Sequence, residues 1–296
     1  MNCLRYWNDA LNGYLLRAEM RNRKDIENMA VYHIFFSPTG GTKTVSDILV
    51  QSLVTKLQLP MAIEVDLLQR TNLSLPLQEE DLCIVAVPAY GGRVPQAAAE
   101  KLRALQGDGA GAVLVSVFGN RAIDDTLIEL QDILQDNGFR CLAAVEAVAE
   151  HSLARKYGAG RPDAEDRQEL EDFAERIASL LKARSKRIAE REKEQGLHSL
   201  QVPGNRPYKE FQPSPMAPVV AESCINCKRC VKECPVGAIA SENVGQVDPS
   251  KCFSCMHCVA VCPMKARSND PSRMQALEER LRDRCSGRKI NQLYLP

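Results

Sequence analysis

No stretch of the 296-residue sequence approaches the run of about 18 apolar residues that a membrane-spanning helix needs. An excess of charge is missing too: 38 Lys and Arg face 38 Asp and Glu, so nothing in the balance points to nucleic acid. The first thirty residues lack the apolar core of a secretory signal, because Arg5, Asp9, Arg17, Glu19, Arg21, Arg23, Lys24, Asp25 and Glu27 interrupt them. The expected compartment is the cytoplasm. Two familiar nucleotide loops are also absent. No glycine precedes Lys43, which excludes G-x4-G-K-[ST], and Gly107-Asp-Gly-Ala-Gly111 precedes a strand-like run where a dinucleotide loop would follow one.

What is present is cysteine, twelve in all, eight of them between Cys224 and Cys262. They form one pattern twice, C-x2-C-x2-C-x3-C-P: Cys224, Cys227, Cys230, Cys234 with Pro235, then Cys252, Cys255, Cys258, Cys262 with Pro263. Thiolate sulfur is soft enough to hold iron in a cuboidal iron–sulfur cluster, and each cube takes four. Two-residue spacers wrap three cysteines around one cube, and the fourth is borrowed from the other run. One [4Fe-4S] cluster is then expected on Cys224, Cys227, Cys230 and Cys262, the second on Cys252, Cys255, Cys258 and Cys234. The prolines, with fixed φ and no N–H, redirect the chain after each run. A pair of zinc knuckles is the competing reading, but tetrahedral zinc takes two C-x2-C pairs and has no use for a third step. Disulfides do not suit so dense a set in a chain without a secretory signal. The segment resembles the bacterial two-cluster ferredoxins at all eight positions. Apolar neighbours, among them Ile225, Val231, Val236, Ile239, Phe253, Val259 and Val261, are expected to limit water. His257 reads as a loop residue facing outward.

The N-terminal half alternates strand and helix. Val31 to Phe36 is a short apolar, β-branched and aromatic run, the mark of a buried strand, and a helical pattern through Val45, Ile48, Leu49, Leu53 and Leu57 follows. Between them lie Ser37, Pro38, Thr39, Gly40, Gly41 and Thr42. A strand, a glycine- and hydroxyl-rich turn and a helix make a cradle for phosphate, with free N–H groups and the positive end of the helix dipole facing the anion. The hydroxyls at 37, 39 and 42 around Gly40 resemble the phosphate loop of flavodoxins, which bind flavin mononucleotide (FMN). Further strands are read at 61–65, 82–87, 112–117 and 141–148, with helices at about 95–106 and 122–136. That alternation argues for a parallel sheet covered on both faces, with ligands beyond the carboxyl ends of the strands.

Two more loops fall at that end: Pro88-Ala-Tyr90-Gly91-Gly92-Arg93-Val-Pro95, and Phe118-Gly119-Asn120-Arg121-Ala-Ile123-Asp-Asp125. A flavin needs an apolar or aromatic face and backbone N–H groups near its polar edge, and glycine lets the backbone come close. Tyr90 is the expected stacking residue, with Gly91, Gly92, Gly119 and Asn120 as hydrogen-bonding neighbours. Each has a plainer role open to it: packing for Tyr90, a turn for Gly91 and Gly92, a helix cap for Asn120. His151 reads as a structural histidine at a strand end, and Cys83 and Cys141 as small core residues. After Pro162 and Asp163 a long helix starts acidic and ends basic, as the helix dipole favours, with Leu170, Phe173, Ile177, Leu180 and Leu181 on its apolar face.

The domain plan reads as an N-terminal extension (1–30), an α/β domain with a doubly wound parallel five-stranded sheet (31–195), a proline-stiffened linker (196–220), a small α+β two-cluster domain (221–268) and a tail (269–296). The extension could form an amphipathic helix through Leu11, Leu15 and Leu16, and Met29, just before the first strand, is an alternative start of translation. The tail is expected to be helical around Met274, Leu277 and Leu281 and to pack on one of the domains, which one being open.

Taken together, residues 31 to about 265 resemble a family of flavodoxin–ferredoxin fusion proteins of anaerobic and gut bacteria. The order of parts, the Pro88–Gly92 and Gly119–Arg121 loops, Glu150-His151-Ser152 and Val202-Pro-Gly-Asn205 all match. One departure is Ile123, where an aromatic residue would be expected. The resemblance implies a flavodoxin-like domain binding FMN and a ferredoxin domain with two [4Fe-4S] clusters. The expected role is electron transfer between clusters, flavin and an external redox protein, a carrier more than a substrate-specific enzyme. Two alternatives stay open: an FMN-dependent reductase of a small acceptor such as a quinone, with His151 and Arg93 the only residues to announce a pocket, and an iron–sulfur sensor or assembly protein whose flavodoxin-like domain is empty. Donor, acceptor and oligomeric state are left open at this point.

Overall fold

The computed structural model describes residues 29–69, 74–188, 200–211 and 216–296. The expected helix through Leu11, Leu15 and Leu16 lies outside them. In chain order the elements are β1 (Val31–Phe35), α1 (Gly41–Leu57), β2 (Ile63–Asp66), β3 (Leu82–Pro88), α2 (Gln96–Arg103), β4 (Gly111–Phe118), α3 (Thr126–Asp136), β5 (Arg140–Val148) and α4 (Ala164–Ile188). They continue with β6 (Val219–Val220), α5 (Arg229–Glu233), α6 (His257–Ala260), β7 (Arg267–Ser268), α7 (Pro271–Leu281) and β8 (Gln292–Tyr294).

Strands β1 to β5 pair in parallel in the order β2-β1-β3-β4-β5, the doubly wound order of flavodoxin-type domains. The register sets Ile34 beside Val65 and Val85, and Val85 beside Leu114. Because successive residues of a strand face opposite sides, each central strand feeds two cores. Val31, Phe35, Ile84, Val113 and Val145 pack under α1 and α4 against Val45, Leu49, Leu53, Leu170 and Ile177. Tyr32, Ile34, Phe36, Val85 and Leu114 pack under α2 and α3 against Ala98, Leu102, Leu127, Leu130 and Leu134. A side chain of this kind, fully buried, contributes about 1.5–3 kcal/mol, so this double cover fixes the sheet.

The sheet has six strands where the sequence predicts five. The sixth is β8, from the tail, antiparallel to β5 with Leu293 beside Val145. Three residues are too few to show a strand period, which is why the pattern misses it. It covers an edge that would otherwise offer unpaired backbone groups. Tyr294 donates its hydroxyl to Glu146 at 3.0 Å.

The linker lies along α3. Leu200 enters the core, Asn205 N–H and Lys209 N–H donate to Asp125, Arg206 Nε donates to Asp132 at 2.8 Å, and the Tyr208 hydroxyl bonds Asp132 as well. In the cysteine-rich segment β6 and β7 pair antiparallel, Val220 beside Arg267. Helix α7 starts on Asp270, whose side chain accepts from Arg273 N–H, with Pro271 at the first turn. Its Leu277 and Leu281 pack with Ala154, Met216 and Cys285, seating the tail on the flavodoxin-type lobe.

Candidate functional site

The two cysteine runs fold alike. On either side of the second cysteine in each run the backbone is left-handed, at Asn226 (φ 53°) and Lys228 (φ 58°), and at Ser254 (φ 59°) and Met256 (φ 62°). Left-handed residues alternating with right-handed ones turn successive N–H groups inward and form a nest for an anionic centre. The fourth cysteine of each run meets a backbone donor: Ala238 N–H reaches Cys234 Sγ, and Ala266 N–H reaches Cys262 Sγ, both at 3.3 Å. Hydrogen bonds to sulfur are among the features that set the potential of an iron–sulfur group.

Cys234, from the first run, lines one small hollow together with Cys252, Cys255 and Cys258 of the second. Burial pushes the Cys255 thiol up to about 12, and the neighbouring Cys258, Cys234 and Cys252 push the same way. Burial also raises Cys258, to about 11. Thiolates in such a place need a cation to stabilise them, which an iron centre supplies. None of the described cysteines is in a disulfide. The spacing bears on zinc. Zinc has no use for the third C-x2-C step that both runs carry. Outside the cysteine runs, His33, Asp47 and Glu64 bring three ligating atoms within 4.8 Å of one another. At His33, Asp47 and Glu64 the place of a cation is taken by Lys43, whose Nζ is 2.8 Å from both acids.

The second site is a cavity of about 600 Å³ at the carboxyl end of the sheet. Thr39, Gly41, Thr42, Pro88, Tyr90, Gly91, Phe118 and Gly119 line it. Ser37 and Gly40 instead shape the loop: Ser37 Oγ accepts from Lys43 N–H at 2.9 Å, and Gly40 caps α1 at φ 91°. Burial raises the Tyr90 hydroxyl, the nearby Cys255 raises it further, and a bond with Ser152 opposes both. Gly92 packs against the Asp124 side chain, which a Cβ would meet at 2.1 Å, so it serves the turn. Asn120 is buried away from the cavity. Its Nδ2 donates to the carbonyls of Cys285 and Gly287, both at 2.8 Å, and its Oδ1 accepts from Lys289 N–H at 3.2 Å, so it holds the tail. Ile123 turns into the core.

His151 lines the cavity, and its Nδ1 accepts from Leu153 and Ala154 N–H at 3.1 and 3.2 Å. Burial lowers its pKa to about 4, so it stands there neutral. Arg93 is committed elsewhere, to Glu129 at 2.7 and 2.9 Å, to the Lys209 carbonyl and over the Tyr208 ring.

Several lining residues come from outside the flavodoxin-type lobe: Phe211 of the linker, Phe253 and Ser254 of the second cysteine loop, and Leu277, Arg280 and Arg284 of the tail. No local pattern marks them, because each reaches the cavity only through the packing of its segment. Phe253 lies between Phe36 and Tyr90, with ring centroids at 6.4 and 6.2 Å, and so stands between a cysteine loop and the cavity. His257 corrects the outward-facing expectation. It is buried, its Nδ1 lies 2.8 Å from the Pro38 carbonyl in the phosphate-type loop, and its Nε2 is 3.5 Å from Glu233. The reason is tertiary: α6 is set down on the β1–α1 loop, which turns a loop residue into an interface residue.

The model of the 4Fe-4S dicluster domain family matches residues 223–266. No curated protein matches the chain. Among solved structures, a flavodoxin of Streptococcus pneumoniae TIGR4 is 21% identical, covering 51% of this chain and 98% of its own, with a TM-score of 0.36. Rubredoxin oxygen:oxidoreductase from Desulfovibrio gigas is 17% identical over 60% of this chain and 40% of its own, TM-score 0.39. Megasphaera elsdenii flavodoxin is 16% identical over 50% of this chain and 98% of its own, TM-score 0.31. The fold assignment itself rests on the strand order. The chain thus joins a lobe of flavodoxin topology to a segment similar to the 4Fe-4S dicluster domain, the arrangement of a flavodoxin–ferredoxin fusion.

Proposed function

We propose that this chain is an electron carrier that holds two [4Fe-4S] clusters and FMN and exchanges electrons with an external redox protein. The observation that carries it is Phe253, which belongs to the loop of Cys252, Cys255 and Cys258 and lines the same cavity as Thr39, Gly41 and Thr42. When bound, a cube exchanges one electron and a flavin one or two, so the pair can combine single electrons. Cys224, Cys227, Cys230 and Cys262 would hold one cube, and Cys252, Cys255, Cys258 and Cys234 the other. The flavin phosphate would lie on the Ser37–Thr42 loop, where the amides at the start of α1 and the hydroxyls of Thr39 and Thr42 supply donors. Tyr90, Gly91 and Gly119 would frame the ring, with Phe211 and Phe253 giving the apolar cover that Ile123 does not. Protein purified without oxygen should contain about eight irons and one flavin per chain. Fewer irons, or no flavin after anaerobic reconstitution with FMN, would count against the reading; the latter would favour the sensor or assembly role.

One observation favours the reductase as a second reading. Arg280 and Arg284, one turn apart on the tail, line the cavity, and no ion pair engages either among the described residues. They suit a small anionic acceptor. Turnover with such acceptors that collapses in Arg280→Ala with Arg284→Ala, and no exchange with protein carriers, would favour it.

A further inference from the structure

The two cysteine loops differ in what covers them. Around the second, Ser254, Met256 and His257 are buried, Phe253 is wedged against Phe36 and Tyr90, and His257 is bonded to Pro38. Around the first, Cys227 is exposed, Ile225 is 62% exposed, and Asn226, Lys228 and Arg229 all face solvent. The Ala221 N–H donates to the Ala266 carbonyl at 2.9 Å and β6 pairs with β7, which brings the segment of Cys262 to Lys265 beside the first loop. Met264 there is 45% exposed and Lys265 is exposed. The exposed residues around the first loop and the adjoining 262–265 segment include two bare apolar side chains, Ile225 and Met264, and Lys228, Lys232 and Lys265, none of which has an acid within 4.0 Å among the described residues. Of the acids close by, Glu233 is engaged by Arg229 at 3.6 Å and by His257 at 3.5 Å, Glu242 is exposed within the field of Lys228, and Glu222 is exposed beside the loop, so the four cations Lys228, Arg229, Lys232 and Lys265 outnumber the three acids.

We infer that this face, from Ile225 to Lys232 with Met264 and Lys265, is the docking surface for an acidic electron-carrier protein, and that the second loop, sealed against the flavodoxin-type lobe, faces inward to the flavin cavity. The inference rests on the proposed function and adds to it a partner class and an entry point. An apolar centre ringed by unpaired lysines is the arrangement that steers an acidic partner and then excludes water at contact. In each encounter the reduced partner loses one electron, the group held by the first loop gains one, and no proton moves.

The test uses anaerobically purified holoprotein and, as probe, a reduced acidic ferredoxin with a [2Fe-2S] centre, whose EPR signal is separable from that of a [4Fe-4S] group. Carbodiimide cross-linking of the wild-type chain, mapped by mass spectrometry, should join partner carboxylates to Lys228, Lys232 and Lys265. Freeze-quenched loss of the partner's EPR signal should slow about tenfold in Lys228→Glu with Lys232→Glu and Lys265→Glu, and by a similar factor between low salt and about 0.5 M salt. Bleaching by dithionite, which needs no docking, should be unchanged and serves as the check on folding. Equal rates in the triple variant, cross-links falling on Lys209 or Lys156 instead, or low-salt self-association through the same lysines would overturn the inference. The partner's signal reports its own oxidation, with or without flavin in this chain. A chain without flavin that still shows the lysine dependence would sink the flavin part of the function and leave the docking face standing. A flavin-loaded chain indifferent to these lysines would do the reverse.

Discussion

Single residues decide how this protein answers to pH. His33 is buried with its Nε2 2.7 Å from Ser46 Oγ, and burial lowers its pKa to about 4, with Asp47 pulling the other way. His151 is lowered to about 4 by burial, with Arg121 adding to it. A histidine depressed from 6.5 binds its proton in the unfolded chain first, so stability is present above about pH 6.5 and is lost as pH falls toward 4. Each should cost about 2 kcal/mol between pH 7 and 5. Thermal unfolding at the two pH values should show it, and the loss should be smaller in His33→Gln. Asn120 has a separate role. Asn120→Gly keeps the positive φ yet removes three bonds to the tail, so about 1–3 kcal/mol should go, with faster amide exchange at Lys289.

Among the elements, the least legible ones do the assembling. Strands β1, β3, β4 and β5, with α1 and α4, are readable because each buries a long apolar face. Strand β8 and the linker have no such face, and they join by pairing and capping, through Leu293 beside Val145 and through Asn205, Arg206 and Tyr208 on α3. Removing residues 289–296 should bare the β5 edge, lower the melting temperature and promote aggregation, read by calorimetry and light scattering. Gly92→Ala should also destabilise, by about 2 kcal/mol or more, since φ is 81° and the new Cβ would strike Asp124. Loss of the Pro88–Pro95 loop geometry would follow, read as weaker flavin retention.

For the whole molecule, the question is which cysteine serves which site. Cys234 belongs to the first run in sequence and to the second in space, where it lines a hollow with Cys252, Cys255 and Cys258. Under the crossed assignment, Cys234→Ala should expose Cys252, Cys255 and Cys258 to alkylation while Cys224, Cys227 and Cys230 stay protected. Protection lost at 224–230 instead would mean uncrossed sites. Phe253→Ala should leave the iron content at about eight and loosen the flavin, because the side chain borders the cavity without ligating anything.

By itself the sequence carried the cysteine pattern of the cluster segment and the places of the parallel strands along the chain. Ligand type and spacing are local properties: three cysteines two residues apart can be read without knowing what lies beside them. A doubly covered sheet likewise writes its burial into its inner strands β1, β3, β4 and β5. The tertiary structure alone decided the surroundings: that His257 turns inward to Pro38, that Asn120 ties down the tail, and that Phe211, Phe253, Arg280 and Arg284 meet around one cavity. Those residues come from segments far apart in the chain, and each would read as an ordinary loop or helix residue in its own neighbourhood. What they do depends on packing between lobes, and packing of that kind leaves no period in the sequence.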